Sequence, residues 1–532
     1  MSRYRNNYAG ISLEVTHTLM GISSCPEKGR SRRKSLERIE QENGAQRLSR
    51  SLGPLQLTML GVGSTIGAGI YVMTGTAAAN YAGPSILLSF IVAGLACLFT
   101  ALSYGELASA MPVSGSAYTY AYVSMGEAWA WGVGWLLLLE YGISCAGVAA
   151  GFSGYAVSFL QDFGVHIPHA LSTTAMQVVF DGAHRHVSMH WQGDAVGAFS
   201  ILVVTGLLIL GVKESLRINT AIVFLKVGVL VVFVALGLWA IHPSYWTPFI
   251  PKYEGGFRYG LPGIFRAASI IFFAYVGFEA VSTASSEARN PRRDVPIGIV
   301  VSLLICTVVY IIVAAVLIGV VPWKTLDVAD PLAIAVNAMQ QPWLAVFVKI
   351  GAVVGLCSVL FGLLYAQSRI FFAMAEDGLL MPVFCNLHPK FKTPWIGTIL
   401  LGAVVALATA LLPIDIIGDL VSLGTATAFG IVCFTVIWIR NVAPDSPRAF
   451  AVPGGGFYIK GFWVGYVPLL GMIFCLIMAA PLFIDMALAL FAGDPVPALL
   501  LATYIVCGWA CYRFYGRKHS RLGQEVQAGE SA

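Results

Sequence analysis

Twelve apolar segments occupy most of the chain, and each is about long enough to cross a lipid bilayer as a helix. Crossing the hydrocarbon core takes about 20 apolar residues in helical form. Backbone groups in lipid must be hydrogen-bonded within the protein, and these segments lack the alternation of barrel strands. The sequence therefore predicts an all-α polytopic membrane protein with twelve transmembrane helices. They cover residues 55–79, 85–110, 129–160, 195–212, 221–241, 262–284, 295–321, 343–375, 394–412, 416–439, 464–490 and 496–515.

Charge is scarce, which agrees with a membrane protein. Charged residues are 11% of the 532 residues, whereas soluble proteins carry about 25%. Residues 55–105 contain no Lys, Arg, Asp or Glu. The basic residues lie between apolar segments rather than on one face, so nucleic-acid binding is excluded. Composition thus rules out a soluble multi-domain enzyme.

The positions of Lys and Arg predict the orientation in the membrane. With the N-terminus in the cytoplasm, 26 of the 32 fall on the cytoplasmic side and 6 on the outer side, as the positive-inside rule requires. Both termini are therefore expected on the cytoplasmic side. The membrane is expected to be a cell membrane, specifically a bacterial inner membrane. The outer loop 161–194 holds five of nine histidines. Their spacing matches no metal-ligand pattern, so we expect a solvated loop and no metal.

Two of the predicted helices are interrupted by small residues near their middle. The first reads Gly61-Val-Gly-Ser-Thr-Ile-Gly-Ala-Gly-Ile70, and the sixth contains Phe272-Phe-Ala-Tyr-Val-Gly-Phe-Glu279. Close helix packing through the Gly63 and Gly67 pair is one interpretation. The other is a break, where glycine lets the backbone leave the helix.

The spacing of the two interruptions favours broken helices. They lie five spans apart, and because five is odd, a second copy of a five-helix unit enters the membrane from the opposite side. Broken helices of such inverted repeats meet at the bilayer midplane. Freed amides attract an anionic group and freed carbonyls a cationic group, which suits the zwitterion of an α-amino acid.

Several motifs resemble the amino acid–polyamine–organocation superfamily, particularly its cationic amino acid transporter branch. They cover roughly residues 50–460 of the chain. The motifs are Gly61-Val-Gly-Ser-Thr-Ile-Gly-Ala-Gly-Ile-Tyr-Val72, Leu102-Ser-Tyr-Gly-Glu-Leu107, Gly115-Ser-Ala-Tyr118, Phe273-Ala-Tyr-Val-Gly-Phe-Glu279, Arg289-Asn-Pro291, and Arg369 with Ala375-Glu-Asp-Gly-Leu379.

The resemblance implies a five-plus-five inverted repeat with discontinuous helices 1 and 6, two added helices, and amino acid transport by alternating access. By the family pattern, amides around Gly67, Ala68 and Gly69 hold the substrate carboxylate. Carbonyls of Phe273, Ala274 and Val276 hold its amine. The implied divisions are a basic tail 1–53, a first repeat 54–241, a second repeat 242–440, helices 11 and 12 in 441–515, and a tail 516–532.

Ionisable residues within apolar spans are costly and therefore candidates for function. Glu140 in the third span is a candidate to bind a cationic substrate side chain or to carry a proton. Lys226 in the fifth span either snorkels to the interface or, as the resemblance implies, takes up and releases the coupling proton. Glu279 either couples protonation to gating or caps the broken helix. Glu106 is interpreted as structural, and Asp485 is left without an account.

Other pocket residues are expected on the sixth and eighth spans. Phe278 could close over the substrate as a gate, although aromatic residues in a span more often serve packing. The eighth span is expected to contribute to the pocket through Cys357, Ser358, Phe361 and Gly362.

The sequence thus predicts a secondary transporter that carries L-amino acids inward by symport with protons. An exchanger, a sodium-coupled symporter and an amino acid sensor on a transporter scaffold are the alternatives. No phosphate-binding loop or catalytic cluster lies in the spans, so neither an enzyme nor a bound cofactor is expected. Cationic and neutral substrates both stay open, as does the oligomeric state.

Overall fold

The structure is a computed structural model that describes residues 52–111, 116–181, 184–211, 216–444 and 448–524. The predicted tails lie largely outside these ranges, as does Gly115 of the third motif. Nine helical stretches in the described chain are long and apolar enough to cross a membrane, and two shorter apolar helices cover Ala195–Ile209 and Trp395–Leu411. One of the nine, Gly69–Ala110, combines the second half of the first predicted span with the second span. The prediction of a helical polytopic membrane protein is confirmed.

Among the first six spans, spans 1 and 6 are interrupted and the four between them are not, although span 3 contains a wider π-helical turn. Their helices are Pro54–Thr65 and Gly69–Ala82 (span 1), Ile86–Ala110 (span 2), Glu127–Asp162 (span 3), Ala195–Ile209 (span 4), Leu216–Gly237 (span 5), and Gly260–Ile271 with Ala280–Thr283 (span 6).

The last six spans are continuous helices. They are Pro291–Val320 (span 7), Pro342–Glu376 (span 8), Trp395–Leu411 (span 9), Ile414–Val442 (span 10), Tyr466–Phe491 (span 11) and Val496–Ala510, continuing to His519 (span 12). Two shorter helices, Ser116–Ser124 and Pro331–Ala338, lie in the connections before span 3 and before span 8.

Both predicted interruptions are present. Span 1 leaves the α-helix after Thr65, and Ile66 has an extended backbone before the chain turns helical again. Span 6 narrows to a 3₁₀ turn at Phe272–Tyr275 and then passes through Gly277 at φ +123° before the short second helix. A backbone at that φ favours glycine, because a β-carbon would be strained there.

Two hairpins in the connections were not predicted. Strands Met176–Asp181 and His184–Met189 pair antiparallel within the loop 161–194, and Gly456–Ile459 pairs with Phe462–Gly465 between spans 10 and 11. Short strands between apolar helices give a weak signal in sequence, because the surrounding hydrophobicity dominates any period-two pattern.

Glu106 joins span 2 to the end of span 10 and to the segment after it. Its carboxylate is 3% exposed, accepts a hydrogen bond from Arg440 Nε at 2.7 Å and lies 3.6 Å from Arg448 Nε. The backbone N–H of Val452 donates to the same carboxylate at 2.7 Å. Two guanidinium groups and a backbone amide around one carboxylate hold these segments together, as expected for a structural residue.

Candidate substrate-binding site

A small pocket lies where the two interrupted helices meet. Helix ends supply one part of its lining and side chains of spans 3 and 8 supply the rest. The lining residues are Ser64, Thr65, Gly67, Ala68, Gly69, Ser144, Val148, Phe273, Val276, Val359 and Leu363.

The two interruptions pack directly against each other beside this pocket. A β-carbon on Gly69 would lie 2.2 Å from Cα of Ala274, and one on Gly277 would lie 2.6 Å from the carbonyl carbon of Ser64. Such distances exclude any side chain at either glycine. Glycine therefore lets the two backbones approach closely enough to share one pocket.

Five of the residues predicted to hold the substrate line this pocket: Gly67, Ala68, Gly69, Phe273 and Val276. Ala274 is buried directly behind them against Gly69. The eighth span contributes Val359 and Leu363, which neighbour the predicted Ser358 and Gly362 in sequence. Ser144 and Val148 of span 3 were not predicted. A helix that is apolar on all sides carries no signal for which face meets the pocket.

Lys226 of span 5 is fully buried, and its ammonium group contacts the end of the first half of span 1. Nζ donates to the carbonyl oxygens of Gly63 at 2.9 Å and Ile66 at 3.4 Å. Gly355 of span 8 leaves room for the lysine stem, since a β-carbon there would lie 3.0 Å from Lys226 Cγ. Carbonyls freed by the interruption thus face a cation, as the helix dipole favours.

Glu279 binds the freed backbone of span 6. Its two carboxylate oxygens accept hydrogen bonds from the N–H of Gly277 at 3.0 and 2.9 Å, and Tyr141 O–H of span 3 donates to Oε1 at 3.1 Å. The fully buried carboxyl of Glu140 is its close electrostatic neighbour. A pair of adjacent buried carboxyl groups disfavours two negative charges, so the pair is suited to hold a proton.

Phe278 lies in an aromatic cluster beside this carboxyl pair. Its ring centroid is 6.3 Å from that of Tyr104 on span 2 and 5.4 Å from that of Phe429 on span 10. It is fully buried and is not among the residues that line the pocket in the described chain. The predicted gating role of Phe278 stays a prediction.

Asp485, which had no account in the sequence, pairs with a buried arginine. Arg266 of span 6 is fully buried, and its Nη2 lies 2.8 Å from the Asp485 carboxylate on span 11. Its Nη1 lies 2.9 Å from the Asp419 carboxylate on span 10. The guanidinium carbon also lies 4.9 Å from the ring centroid of Tyr81 in span 1. This network ties the first half of span 6 to three other spans.

Comparison with known proteins identifies the family. A family model described as amino acid permease matches residues 52–509. The chain is 40% identical to the branched-chain amino acid permease BcaP of Bacillus subtilis (strain 168), over 93% of this chain and 99% of that protein. It is 38% identical to the methylthioribose transporter of the same organism, with the same coverage.

A plant protein belongs to the same group of relatives. The vacuolar cationic amino acid transporter 4 of Arabidopsis thaliana is 35% identical, over 78% of this chain and 67% of that protein. These relatives are named permeases and transporters, and none of the three is named an enzyme. The broken helices, the shared pocket and the match over most of the chain together show that this protein is a multi-pass membrane transporter of the amino acid permease family.

Proposed function

We propose that this permease carries neutral aliphatic L-amino acids into the cell together with protons, by alternating access. The observation that carries the proposal is the pocket between the interrupted helices. Its backbone lining suits a zwitterion, and its side-chain lining is mostly apolar. The relative named branched-chain amino acid permease supports the same substrate class.

The backbone lining can hold both charged groups of an amino acid. Amides of Gly67, Ala68 and Gly69 lie where the second half of span 1 begins, and the positive end of a helix dipole attracts a carboxylate. Carbonyls of Phe273, Ala274 and Val276 are proposed to accept hydrogen bonds from the ammonium group. Ala68 offers no hydroxyl, so the carboxylate depends on backbone donors there.

The side-chain part of the pocket favours a neutral substrate. Val148, Val359 and Leu363 form an apolar wall, with Ser144 as its polar member. A cationic side chain would lose hydration against this wall without gaining a partner. Because Glu140 lies beside Glu279, we assign Glu140 to proton binding rather than to a cationic substrate.

Lys226 is the proposed coupling residue. When charged, its ammonium group holds the carbonyls of Gly63 and Ile66 and stabilises the end of the first half-helix. Loss of the proton would weaken that contact and free the half-helix to move. Glu279 and Glu140 would take part through the second interruption. Proton uptake and release at these groups would then bias the two states of the transporter.

The orientation completes the proposal. The excess of Lys and Arg on one side supports cytoplasmic termini, and the similarity to a bacterial permease supports a bacterial inner membrane. Substrate and proton would then enter the cytoplasm together.

Uptake into proteoliposomes tests the proposal. The purified full chain would be assayed with radiolabelled L-leucine, with and without an inward proton gradient. Competition by all twenty amino acids and by methylthioribose would define the substrate. We expect accumulation driven by the proton gradient, with strong competition by leucine, isoleucine and valine and weak competition by arginine.

Each alternative gives a different result. A sodium symporter would accumulate leucine only with a sodium gradient, and an exchanger would need an amino acid inside the vesicle. A sensor would bind leucine without flux. Competition by arginine or methylthioribose but not by leucine would show that the proposed substrate class is wrong.

A further inference from the structure

Tyr310 of span 7 places one hydroxyl group between the two interrupted helices. Its oxygen lies 2.7 Å from the carbonyl oxygen of Thr65 in span 1 and 2.8 Å from that of Ala274 in span 6. A tyrosine hydroxyl has a single proton to donate. Both distances are within hydrogen-bond range, so two carbonyl groups compete for this one proton.

The ring of Tyr310 is held firmly, so the position of its hydroxyl is fixed. Tyr310 is fully buried, and its ring centroid is 5.5 Å from that of Tyr275 and 5.7 Å from that of Phe90. Aromatic pairs at such distances each contribute about 0.5–1.5 kcal/mol beyond their buried area, which favours this orientation of the ring. The carbonyl groups must therefore come to the hydroxyl, which fixes the spacing of the two interruptions.

Both carbonyl groups belong to segments that build the pocket. Thr65 lines the pocket itself, and Ala274 lies between two lining residues, Phe273 and Val276. Without a donor, two carbonyl dipoles directed at one buried point would repel each other. A donor at that point keeps the carbonyls of span 6 in place before a substrate arrives.

We propose that Tyr310 is a positioning residue for recognition of the substrate ammonium group, an inference that rests on the proposed amino acid site. In the empty pocket its proton is shared between Thr65 and Ala274. When the ammonium group donates to the span 6 carbonyls, the hydroxyl donates to Thr65 alone. One hydroxyl thereby links occupation of the amine site to the interruption of span 1.

The test compares substrates that differ only in the amine. L-leucine and its des-amino analogue, 4-methylpentanoate, would compete with radiolabelled L-leucine for the full chain in proteoliposomes. The inhibition constant of 4-methylpentanoate divided by that of L-leucine measures recognition of the ammonium group. In Tyr310→Phe we expect this ratio to fall by about tenfold or more, because the carbonyls lose the donor that positions them.

Tyr259→Phe is the matched control. Tyr259 is also buried, and its hydroxyl donates to the carbonyl of Ala79 at 2.8 Å, away from both interruptions. We expect this variant to keep the wild-type ratio. An equal fall in both variants would mean a general packing defect and would overturn the role of Tyr310.

The remaining outcomes separate this inference from the proposed function. If the wild type does not distinguish leucine from 4-methylpentanoate, the proposed amine site is wrong. If the wild type distinguishes them and Tyr310→Phe does so equally, only the inference about Tyr310 is overturned. Should Tyr310→Phe fail to fold, 3,5-difluorotyrosine at position 310 would replace it, because this residue keeps the shape of tyrosine and is a stronger hydrogen-bond donor. An unchanged ratio in that variant would also overturn the inference about Tyr310.

Discussion

Gly69 and Ala274 bring the backbones of two interrupted helices into contact, and any β-carbon at Gly69 would lie 2.2 Å from Cα of Ala274. Ala274 has little freedom to move away, because its carbonyl oxygen lies 2.8 Å from the hydroxyl of Tyr310. The pocket depends on this contact, since Gly69 and the neighbours of Ala274 line it.

Gly69→Ala should reduce transport by about fivefold to about 140-fold, since overpacking costs about 1–3 kcal/mol and about 1.4 kcal/mol corresponds to a factor of ten. Uptake and binding of radiolabelled leucine measure the loss. Gly132→Ala in span 3 is the control, because a β-carbon there meets nothing within 4 Å. Full activity of Gly69→Ala would show that the interruptions do not need this close approach.

Lys226→Ala should abolish accumulation driven by a proton gradient, because it removes the ammonium group that holds Gly63 and Ile66. Lys226→Arg should also fail, since a guanidinium group does not release its proton. Uptake at a series of imposed pH gradients measures both. Lys349→Ala is the control, as it removes a buried ammonium group that pairs with Asp162 at 2.6 Å. Unchanged accumulation in Lys226→Ala would contradict the proposed role of Lys226 in proton coupling.

The sequence was sufficient to locate the interruptions but not the walls of the pocket. Gly67, Gly69 and Gly277 are unusual in the middle of an apolar span, so each gave a local signal. Val359 and Leu363 are ordinary residues in a helix that is apolar on most sides, so nothing local distinguished them from their neighbours. Only the packing of span 8 against span 3 decides which face meets the pocket.

The partners of the buried polar side chains could not be predicted from the sequence either. Arg266 pairs with Asp419, 153 residues away, and with Asp485, 219 residues away. Tyr310 meets Thr65 over a separation of 245 residues. One sequence shows that such residues are costly in a membrane, but it does not show which of them meet.

Leu363→Ala should widen the apolar wall of the pocket and change which amino acids bind. One missing methylene group in an apolar pocket is worth about 1–3 kcal/mol. We therefore expect the inhibition constant of leucine to rise by about tenfold or more. Phenylalanine should compete more strongly, because the wall has more room. Inhibition constants against radiolabelled leucine measure both effects. Leu360→Ala is the control, since Leu360 is buried on span 8 but does not line the pocket.

Asp330→Asn should stabilise the protein near pH 7. Asp330 precedes the helix Pro331–Ala338, and burial raises its pKa from 3.8 to about 6, despite nearby Ser158 and Lys349. A pKa raised by folding means that stability is greatest below pH 4 and is lost as the pH rises through 6. At about 1.4 kcal/mol per unit, the loss is about 3 kcal/mol.

The neutral amide should avoid that loss while keeping a residue suited to begin a helix. Melting temperatures from pH 4 to 8 would therefore vary less in Asp330→Asn than in the wild type. Asp162→Asn is a useful comparison, because it removes the carboxylate that pairs with Lys349 and should instead lower stability. Parallel melting curves for Asp330→Asn and the wild type would contradict the assignment to Asp330.

Arg266→Met should destabilise the protein strongly, because it leaves Asp419 and Asp485 without their guanidinium partner. Removing one member of a buried ion pair costs about 3–5 kcal/mol, which thermal unfolding in detergent would detect. Arg258→Met is the control. Arg258 lies 3.8 Å from Glu254 with both side chains partly exposed, so we expect a loss of at most about 1 kcal/mol.

A triple variant, Arg266→Met with Asp419→Asn and Asp485→Asn, separates charge from packing. Buried networks replaced as a whole by neutral groups often lose little stability, whereas a broken network leaves uncompensated charge. The triple variant should therefore melt at a higher temperature than Arg266→Met alone. If it melts at the same temperature or lower, the contribution of Arg266 is its packing against Tyr81 and its neighbours, and the two aspartates are not the reason an arginine lies in span 6.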